Sequence, residues 1–442
     1  MHVGGIALLE GPAPPYPEVL EHVRSRLHRV PRYRRRLVAP PLGLGDARWV
    51  DDPAFNLAYH VRHTGLPAPG DAAKLHALAA RVFSQQLDRS KPLWELWIVE
   101  HLEGGGWALV SKAGLELTEH AADADLLATL FDTSPDAPPS PPDHWEPRPA
   151  PTPAQLAAAA LTDAVTPAAA LHRARRAVAA AAERARVAAS PPPDTPLNVR
   201  TGPHRRLAVA VADLDEFRAV RDALGGTVND VVLAVVAGAL RRWLHARGTR
   251  TEGLEVRAGV PVQTEGDRLV QVECPLPVDV LDPIDRLRAI TSHMAAATRS
   301  QRALAARTIA ASGDFAAPTI LARAARATMS SGGRSVLVTN LPGPQTALYA
   351  LGRRLERTFP IPTLVEGHAL AVAVMSYDGS MDFGVLADYD AVPDLDAFAG
   401  GIGESLAELV ALAVAGPLTR RTPKTTRTRA RARAKREARR PR

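Results

Sequence analysis

The stretch that most constrains the fold runs from Trp107 to Asp132, WALVSKAGLELTEHAADADLLATLFD. Its first part, Trp107 to Ala113, is an apolar run that ends in polar residues and predicts a β-strand. Its last part, Ala121 to Phe131, has apolar side chains at helical spacing and predicts a helix. The residues between them must therefore form a loop that joins a strand to a helix.

Five different short motifs lie along the rest of the chain. They are PLWE (92–95), TVND (227–230), NLPGP (340–344), SYDG (376–379) and DFG (382–384). PLWE lies at a predicted strand start, TVND caps a predicted helix, and NLPGP and SYDG reverse the chain. DFG lies in the hairpin that SYDG closes. Together with the strand-loop-helix stretch, the motifs resemble the wax ester synthase/diacylglycerol acyltransferase family. The resemblance extends over residues 1 to about 415.

The resemblance implies an α/β fold of the chloramphenicol acetyltransferase type, which CoA-dependent acyltransferases share. This fold has two lobes with a tunnel between them. Family members usually begin earlier, with a segment that lines the tunnel. Either that segment is missing here, or the start codon lies upstream.

Composition divides the chain into four parts. Residues 1–132 are predicted to form the first lobe, and residues 197–418 the second. Residues 133–196, alanine-rich with prolines at both ends, predict a helical crossover linker. Residues 419–442 form a basic tail.

The loop after Trp107–Ala113 occupies the place of the family's catalytic signature, HHxxxDG. In this sequence the seven positions are Gly114, Leu115, Glu116, Leu117, Thr118, Glu119 and His120. In the family the second His is the base that takes the proton from the attacking hydroxyl, which suits a group with a pKa near neutrality. Leu115 stands there and has no lone pair. The resemblance therefore implies an acyltransferase scaffold without its usual base.

His120 has two interpretations. It is either a displaced base, oriented by Glu119 or Glu116, or a loop histidine that partly fills the tunnel mouth. Because a base must lie within hydrogen-bond reach of its proton, the five-residue displacement from the usual position disfavours the first interpretation. Glu119 keeps the charge of the family's Asp, which holds the loop in shape.

Other candidate residues lie where the family places its tunnel or the interface between lobes. They are Asn229, Asp230, Asp267, Asn340 and Ala371. Asp267 and Ala371 each replace an Asn of the family pattern. Asn229 and Asp230 also fit a helix cap that begins at Thr227, so a structural role is the simpler interpretation for that pair.

No metal site is predicted. His60 and His63 lie close together, but no acid or thiolate ligand accompanies them in the sequence. The single cysteine, Cys274, excludes an intrachain disulfide and fits a reducing cytoplasm. We expect no bound cofactor, and acyl-CoA is the co-substrate that the resemblance implies.

Two functions remain open. The first is a catalytically silent homologue that binds acyl ligands, a lipid surface or an active paralogue. The second is a long-chain acyl-CoA O-acyltransferase that makes triacylglycerol or wax ester, with His120 as base. The sequence has neither a signal peptide nor an apolar run of the roughly 18 residues that span a membrane. We therefore expect a cytoplasmic protein, peripheral to membranes or lipid droplets.

The net charge of +7 is concentrated at the C-terminus. Residues 420–442 carry twelve Lys or Arg against the single acid Glu437, so the rest of the chain is net acidic. A segment this charged and this poor in apolar side chains predicts disorder and a polyanionic partner. Since the family acts on lipids, an anionic membrane or droplet surface is favoured over nucleic acid.

Removing residues 419–442 should abolish binding to vesicles of phosphatidylglycerol or cardiolipin at low salt. Each cation near an anionic leaflet contributes up to about 1 kcal/mol, and this attraction is screened within about 8 Å at physiological ionic strength. Vesicle sedimentation across a salt series measures both effects. Equal binding by the truncated chain would refute the role of the tail, and tighter binding to DNA at the same salt would assign the tail to nucleic acid.

Overall fold

The computed structural model describes residues 1–41, 47–118, 126–138, 140–141, 143–165, 195–264, 268–300 and 335–415, with the single residues 174, 178 and 181. Its strands are β1 (His2–Leu9), β2 (Arg35–Val38), β3 (Arg48–Asp51), β4 (Val61–Gly65), β5 (Trp94–Glu100), β6 (Trp107–Gly114), β7 (Arg205–Asp213), β8 (Val256–Thr264), β9 (Arg268–Leu276), β10 (Val336–Pro342), β11 (Tyr349–Ala350), β12 (Arg353–Ile361), β13 (Leu370–Tyr377) and β14 (Ser380–Asp388). Its α-helices are α1 (Tyr16–Arg26), α2 (Leu57–His60), α3 (Ala72–Ser84), α4 (Leu126–Thr129), α5 (Pro153–Val165), α6 (Leu214–Leu224), α7 (Val228–Ala246), α8 (Pro283–Ser300) and α9 (Leu395–Ala415).

The first lobe is built on a sheet with the order β11-β12-β1-β6-β5-β4. Only β4 and β5 run parallel, and the other neighbours are antiparallel. The strand predicted at Trp107–Ala113 is confirmed as β6, which pairs with β1 along its whole length. The loop that follows β6 therefore begins at the end of a central strand, held on both sides.

The second lobe has the strand order β7-β14-β13-β10-β8-β9. Strands β8, β10 and β13 are parallel, and the outer pairs are antiparallel. The buried side chains of α7 form much of this lobe's core. The predicted cap of α7 is confirmed, because the Thr227 amide donates to the Asp230 carboxylate (2.9 Å) and the Asp230 amide donates to the Thr227 hydroxyl (3.1 Å).

The division into lobes along the sequence needs one correction. Strands β11 and β12 lie within residues 197–418, which were predicted to form the second lobe, but both strands belong to the first sheet. β12 pairs with the free edge of β1, from Gly4 opposite Ile361 to Leu9 opposite Leu355. The chain thus returns from the second lobe to complete the first. The other predicted boundaries remain predictions.

The DFG motif joins the two sheets at β12. Asp382 is fully buried in β14, where it accepts hydrogen bonds from Arg357 (3.0 Å) and from the Thr358 amide (3.2 Å). A Cβ at Gly384 would lie 1.8 Å from the Pro360 carbonyl oxygen. The backbone of β12 therefore approaches β14 at a distance that only glycine permits.

The NLPGP and SYDG motifs fix the position of the segment that leads into β12. A Cβ at Gly343 would lie 2.2 Å from the Ser376 carbonyl oxygen, so the turn after β10 presses on the backbone of β13. The Tyr377 hydroxyl accepts from the Leu348 amide (2.9 Å) and donates to the Leu355 carbonyl (3.0 Å). These motifs are therefore structural elements of the junction between lobes.

The predicted hairpin turn at Asp378-Gly379 is confirmed. Both residues have positive φ, +42° and +84°, which is the backbone of a two-residue type I′ turn.

Helix α9 closes the second lobe. Its apolar face packs in the same core as α7, through side chains such as Phe398, Ile402 and Leu406. Among the described residues it is the one unbroken helix with the length and apolar composition to cross a membrane. Core helices of soluble domains meet the same criterion, so this feature alone does not indicate a span.

Replacing Gly384 by alanine should lower the free energy of unfolding by at least about 1–3 kcal/mol, because the added methyl group meets rigid backbone rather than a movable side chain. Gly403→Ala is the matched control. Gly403 lies in α9 with open space around its Cβ position, and this change should be neutral or stabilise by about 0.5–1 kcal/mol. Urea unfolding followed by circular dichroism measures both variants. Equal stability of the two would contradict the proposed close approach of β12 and β14.

Candidate active site

The loop that the resemblance aligns with the catalytic signature begins where β6 ends. The amide of Gly114 donates to the Leu93 carbonyl (2.8 Å), and the amide of Leu115 donates to the Met1 carbonyl (3.3 Å). A short 3₁₀ turn, Leu115–Thr118, follows. The start of the loop is therefore fixed to both neighbouring segments of the first lobe.

Leu115 is buried, with 6% of its surface exposed. It belongs to the apolar cluster of the first lobe, together with Leu93, Leu117 and Leu126. A leucine side chain can neither accept nor donate a proton. At this position the chain therefore contributes apolar packing.

A cavity of about 260 Å³ lies between the lobes, beside Gly114. Its lining comes from both lobes and comprises Met1, His2, Phe83, Ser84, Gln86, Leu87, Arg89, Leu93, Gly114, Glu116, Pro203, Arg205, Thr363, Leu364 and Leu386. The charged side chains are Arg89, Glu116 and Arg205. Arg89 and Glu116 form an ion pair (3.2 Å), so this carboxylate is already engaged with a cation.

His2 is the imidazole at this cavity, and the sequence alone gave no reason to select it. It lies directly opposite Gly114 in the pairing of β1 with β6. Burial lowers the pKa of His2 to about 3, and the positive charges of Lys112, the N-terminal amine, Arg205 and Arg89 act in the same direction. His2 is therefore neutral near pH 7 and holds a proton too weakly to be an efficient general base.

Lys112 fixes helix α3 to the strand that carries the loop. Its ammonium group is almost fully buried and donates to the carbonyls of Val82 (2.8 Å) and Gln85 at the end of α3. Burial lowers the pKa of Lys112 to about 8, although the negative charge of Glu95 opposes this shift. The helix C-terminus is a favourable place for a cation, so Lys112 has a positioning role.

The comparisons with known proteins agree with this architecture. Residues 1–232 match the wax ester synthase/diacylglycerol acyltransferase catalytic domain, and residues 265–410 match the WS/DGAT C-terminal domain. A probable diacylglycerol O-acyltransferase from Mycobacterium tuberculosis strain H37Rv is 33% identical over 439 residues, covering 95% of this chain and 93% of the relative. The chain belongs to the wax ester synthase/diacylglycerol acyltransferase family.

Solved structures show the same fold. The wax ester synthase/diacylglycerol acyltransferase from Marinobacter aquaeolei VT8 superposes with a TM-score of 0.67 at 26% identity, over 94% of this chain and 95% of that one. The starter condensation domain of rhizomide synthetase superposes with a TM-score of 0.51 at 13% identity, over 93% and 89% of the two chains. The predicted two-lobed acyltransferase fold is therefore confirmed.

Two parts of the predicted site lie outside the described residues. Glu119 and His120 follow the 3₁₀ turn, and Asp267 falls between β8 and β9. The interpretation of His120 as a displaced base, oriented by Glu119 or Glu116, therefore stays a prediction. Of these acids, Glu116 is described, and it pairs with Arg89.

The remaining candidates lie in the second lobe, and none of them lines the inter-lobe cavity as described. Asp230 completes the cap of α7, and Asn229 is its half-buried neighbour. Asn340 is half-buried on the central strand β10, opposite Val374. Ala371 is buried in an apolar cluster that spans both lobes, opposite Leu386 of the cavity wall. A polar Asn at 371 would face apolar side chains, so alanine suits this packing.

His60 and His63, the two histidines considered as metal ligands, have structural partners. His60 is buried, stacks on Trp94 with ring centroids 4.6 Å apart, and contacts the Trp94 carbonyl through Nδ1 (2.9 Å). His63 lies 3.0 Å from Glu100. In the part of the chain that the structure describes, no group of three or more His, Cys, Asp or Glu is placed to hold a metal ion.

His2 should stay neutral well below the pKa of an ordinary histidine. Its pKa is about 3 in the folded chain against a reference of 6.5, so the unfolded chain binds the extra proton between these values and stability falls as the pH drops through that window. An NMR titration of the ring, assigned with His2→Gln, should show no protonation at pH 5. His2→Gln should also reduce the loss of stability from pH 6.5 towards pH 3. A midpoint near 6.5 would contradict this environment.

Proposed function

We propose that this chain binds acyl ligands between its lobes and that its rate of acyl transfer is strongly reduced relative to the family reaction. The observation that carries this proposal is the burial of Leu115 among apolar side chains, at the position that the resemblance assigns to the family's base. A general base contributes roughly a hundred- to ten-thousand-fold to such a rate. Its loss leaves positioning as the main source of rate enhancement.

Retention of the scaffold supports a binding role. Asp382, Gly384 and Tyr377 of the second sheet make the contacts that hold β12 of the first sheet against it. All three residues are in place. These contacts preserve the gap between lobes in which the cavity lies. Acyl-CoA is the ligand we propose, because the family's reaction transfers acyl groups to diacylglycerol or to a fatty alcohol. No other cofactor is part of the proposal.

We further propose that the protein is peripheral to an anionic membrane or lipid-droplet surface. The support is the charge of residues 420–442, which lie outside the described part of the chain. An active paralogue at the same surface is a second partner consistent with a silent homologue. Nucleic acid is the less favoured polyanion.

A second candidate is residual acyl transfer to a long-chain alcohol or diacylglycerol. The observation in its favour is an imidazole, His2, on the wall of the inter-lobe cavity. Its lowered pKa makes it a weak base at neutral pH, but a neutral imidazole still accepts a hydrogen bond from an attacking hydroxyl. His120 is the other imidazole of this candidate function.

Purified protein should consume acyl-CoA at or near the background rate with diacylglycerol or hexadecanol as acceptor. Release of free CoA, followed with a thiol reagent, measures turnover. Binding of a fluorescent acyl-CoA, measured on the same preparation, should be saturable. Robust turnover would refute the loss of catalysis. In that case the variants His2→Ala and His120→Ala identify the base by which of them removes activity.

Reintroducing the base provides a matched comparison. Leu115→His supplies an imidazole at the family position, and Leu115→Asn supplies a buried polar side chain that is no base. Turnover at least tenfold higher in the His variant would show that the base is the missing part. If neither variant turns over, full restoration requires Gly114→His, Glu119→Asp and His120→Gly as well. A Cβ at Gly114 would lie 3.1 Å from the Leu93 Cβ, so Leu93 must shift.

A further inference from the structure

A second and larger cavity lies on the other side of Arg205. It has a volume of about 800 Å³ and lies between α3 of the first lobe, the start of β7 and the start of α9. Small-molecule sites typically have volumes between about 300 and 1,000 Å³. We call this cavity the arginine groove. Its apolar surface comes from side chains that include Ala77, Ala80, Leu207 and Leu395.

Three arginines line the arginine groove: Arg81, Arg205 and Arg206. Arg206 is held in place, because its Nε donates to the Tyr389 carbonyl (2.9 Å) and its guanidinium lies 3.8 Å from the centre of the Tyr389 ring. Arg81 is exposed on α3, and no described residue forms an ion pair with it. Arginine binds phosphate with two parallel hydrogen bonds, which makes it the preferred residue for that group.

The groove wall has a net positive charge. Asp396 at the start of α9 is the single carboxylate among the described lining residues. Two histidines, His76 and His204, also lie on the wall. Burial lowers the pKa of His76, although Asp396 opposes this effect. Arg205 is paired with the buried Asp388 (3.9 Å). Arg81 and Arg206 still outnumber Asp396 among the lining residues, so an anion is attracted to this wall.

The arginine groove adjoins the inter-lobe cavity. Ser84 and Arg205 line both spaces, and the Arg205 amide donates to the Ser84 hydroxyl (2.9 Å). These two residues form the wall between the cavities. The two cavities are therefore adjacent, one on each side of this pair.

We propose that the arginine groove is a phosphate site that holds the phosphorylated end of the acyl ligand, with Arg81 and Arg206 as its contacts. The apolar surface beside the arginines suits a ligand that is anionic at one end and apolar over the rest. This inference rests on the proposed function, because it assumes that an acyl ligand occupies the neighbouring inter-lobe cavity. Phosphate chemistry of this kind occurs in coenzyme A and in phospholipid headgroups.

Calorimetric titration of the full chain with octanoyl-CoA and octanoyl-pantetheine tests the proposal. The two probes share the thioester and the acyl chain, but only the first carries phosphates. Octanoyl-CoA should bind at least tenfold more tightly than octanoyl-pantetheine. Its affinity should fall about tenfold in each of the single variants Arg81→Ala and Arg206→Ala. Octanoyl-pantetheine should bind all these variants equally.

Arg218→Ala is the control variant. Arg218 is an arginine of α6 that pairs with Asp215 (2.8 Å) and lines neither cavity, so its loss changes the net charge equally without touching the groove. Its affinity for octanoyl-CoA should equal that of the unmodified chain. Arg206→Lys keeps the charge but loses the paired hydrogen bonds, and it should bind with intermediate affinity. Thermal unfolding checks that every variant is folded.

Separate outcomes distinguish the two proposals. If both probes bind equally and the arginine variants change nothing, acyl binding stands and the phosphate site is refuted. If neither probe binds, the proposed function fails. Titration with inorganic phosphate and lysophosphatidic acid then tests the phosphate site by itself. If neither of these ligands binds, the phosphate site is refuted as well. Tighter binding of lysophosphatidic acid than of octanoyl-CoA, lost in Arg81→Ala, would support the site and assign a lipid headgroup to it.

Discussion

The pairing of β12 with β1 is the interaction on which the rest of the structure depends. It brings a strand from late in the chain into the first sheet, beside the N-terminal strand. Asp382 then fixes this strand to the second sheet through Arg357 and the Thr358 amide. Because the charge of Asp382 is buried, loss of its partners would leave a costly unpaired group. The gap between the lobes is thus set by a strand of the first sheet that Asp382 attaches to the second sheet.

The same frame holds the start of the loop after β6 through contacts that do not depend on the identity of its side chains. Gly114 and Leu115 are held by backbone hydrogen bonds to Leu93 and Met1, and backbone bonds do not depend on the side chain. Leucine at 115 adds apolar burial, worth roughly 1.5–3 kcal/mol for a fully buried side chain. An imidazole there would instead have needed a partner. Leucine at this position therefore contributes to stability through its burial.

Charge is distributed unevenly around the two cavities. Arg205 lies between them, and Arg89, Lys112 and the N-terminal amine add positive charge on the side of His2. Burial is the main reason that His2 is neutral, and this positive field lowers its pKa further. The same field favours anionic ligands in the space between the lobes.

Local patterns in the sequence determined much of the fold. The strand at Trp107–Ala113, the cap at Thr227 and the turn at Asp378-Gly379 follow from hydrogen bonds and backbone angles within a few residues, so the chain encodes them locally. The presence of Leu115 at the position that the resemblance assigns to the family's base is also a feature of the sequence alone. Only the tertiary structure decided that β12 belongs to the first sheet and that His2 lies opposite Gly114. It also decided that Arg81 and Arg206 line the same cavity. These depend on which strands pair and which lobes pack, and such contacts join residues more than a hundred positions apart. No local periodicity records them, because the free energy that selects them comes from burial and pairing across the whole chain.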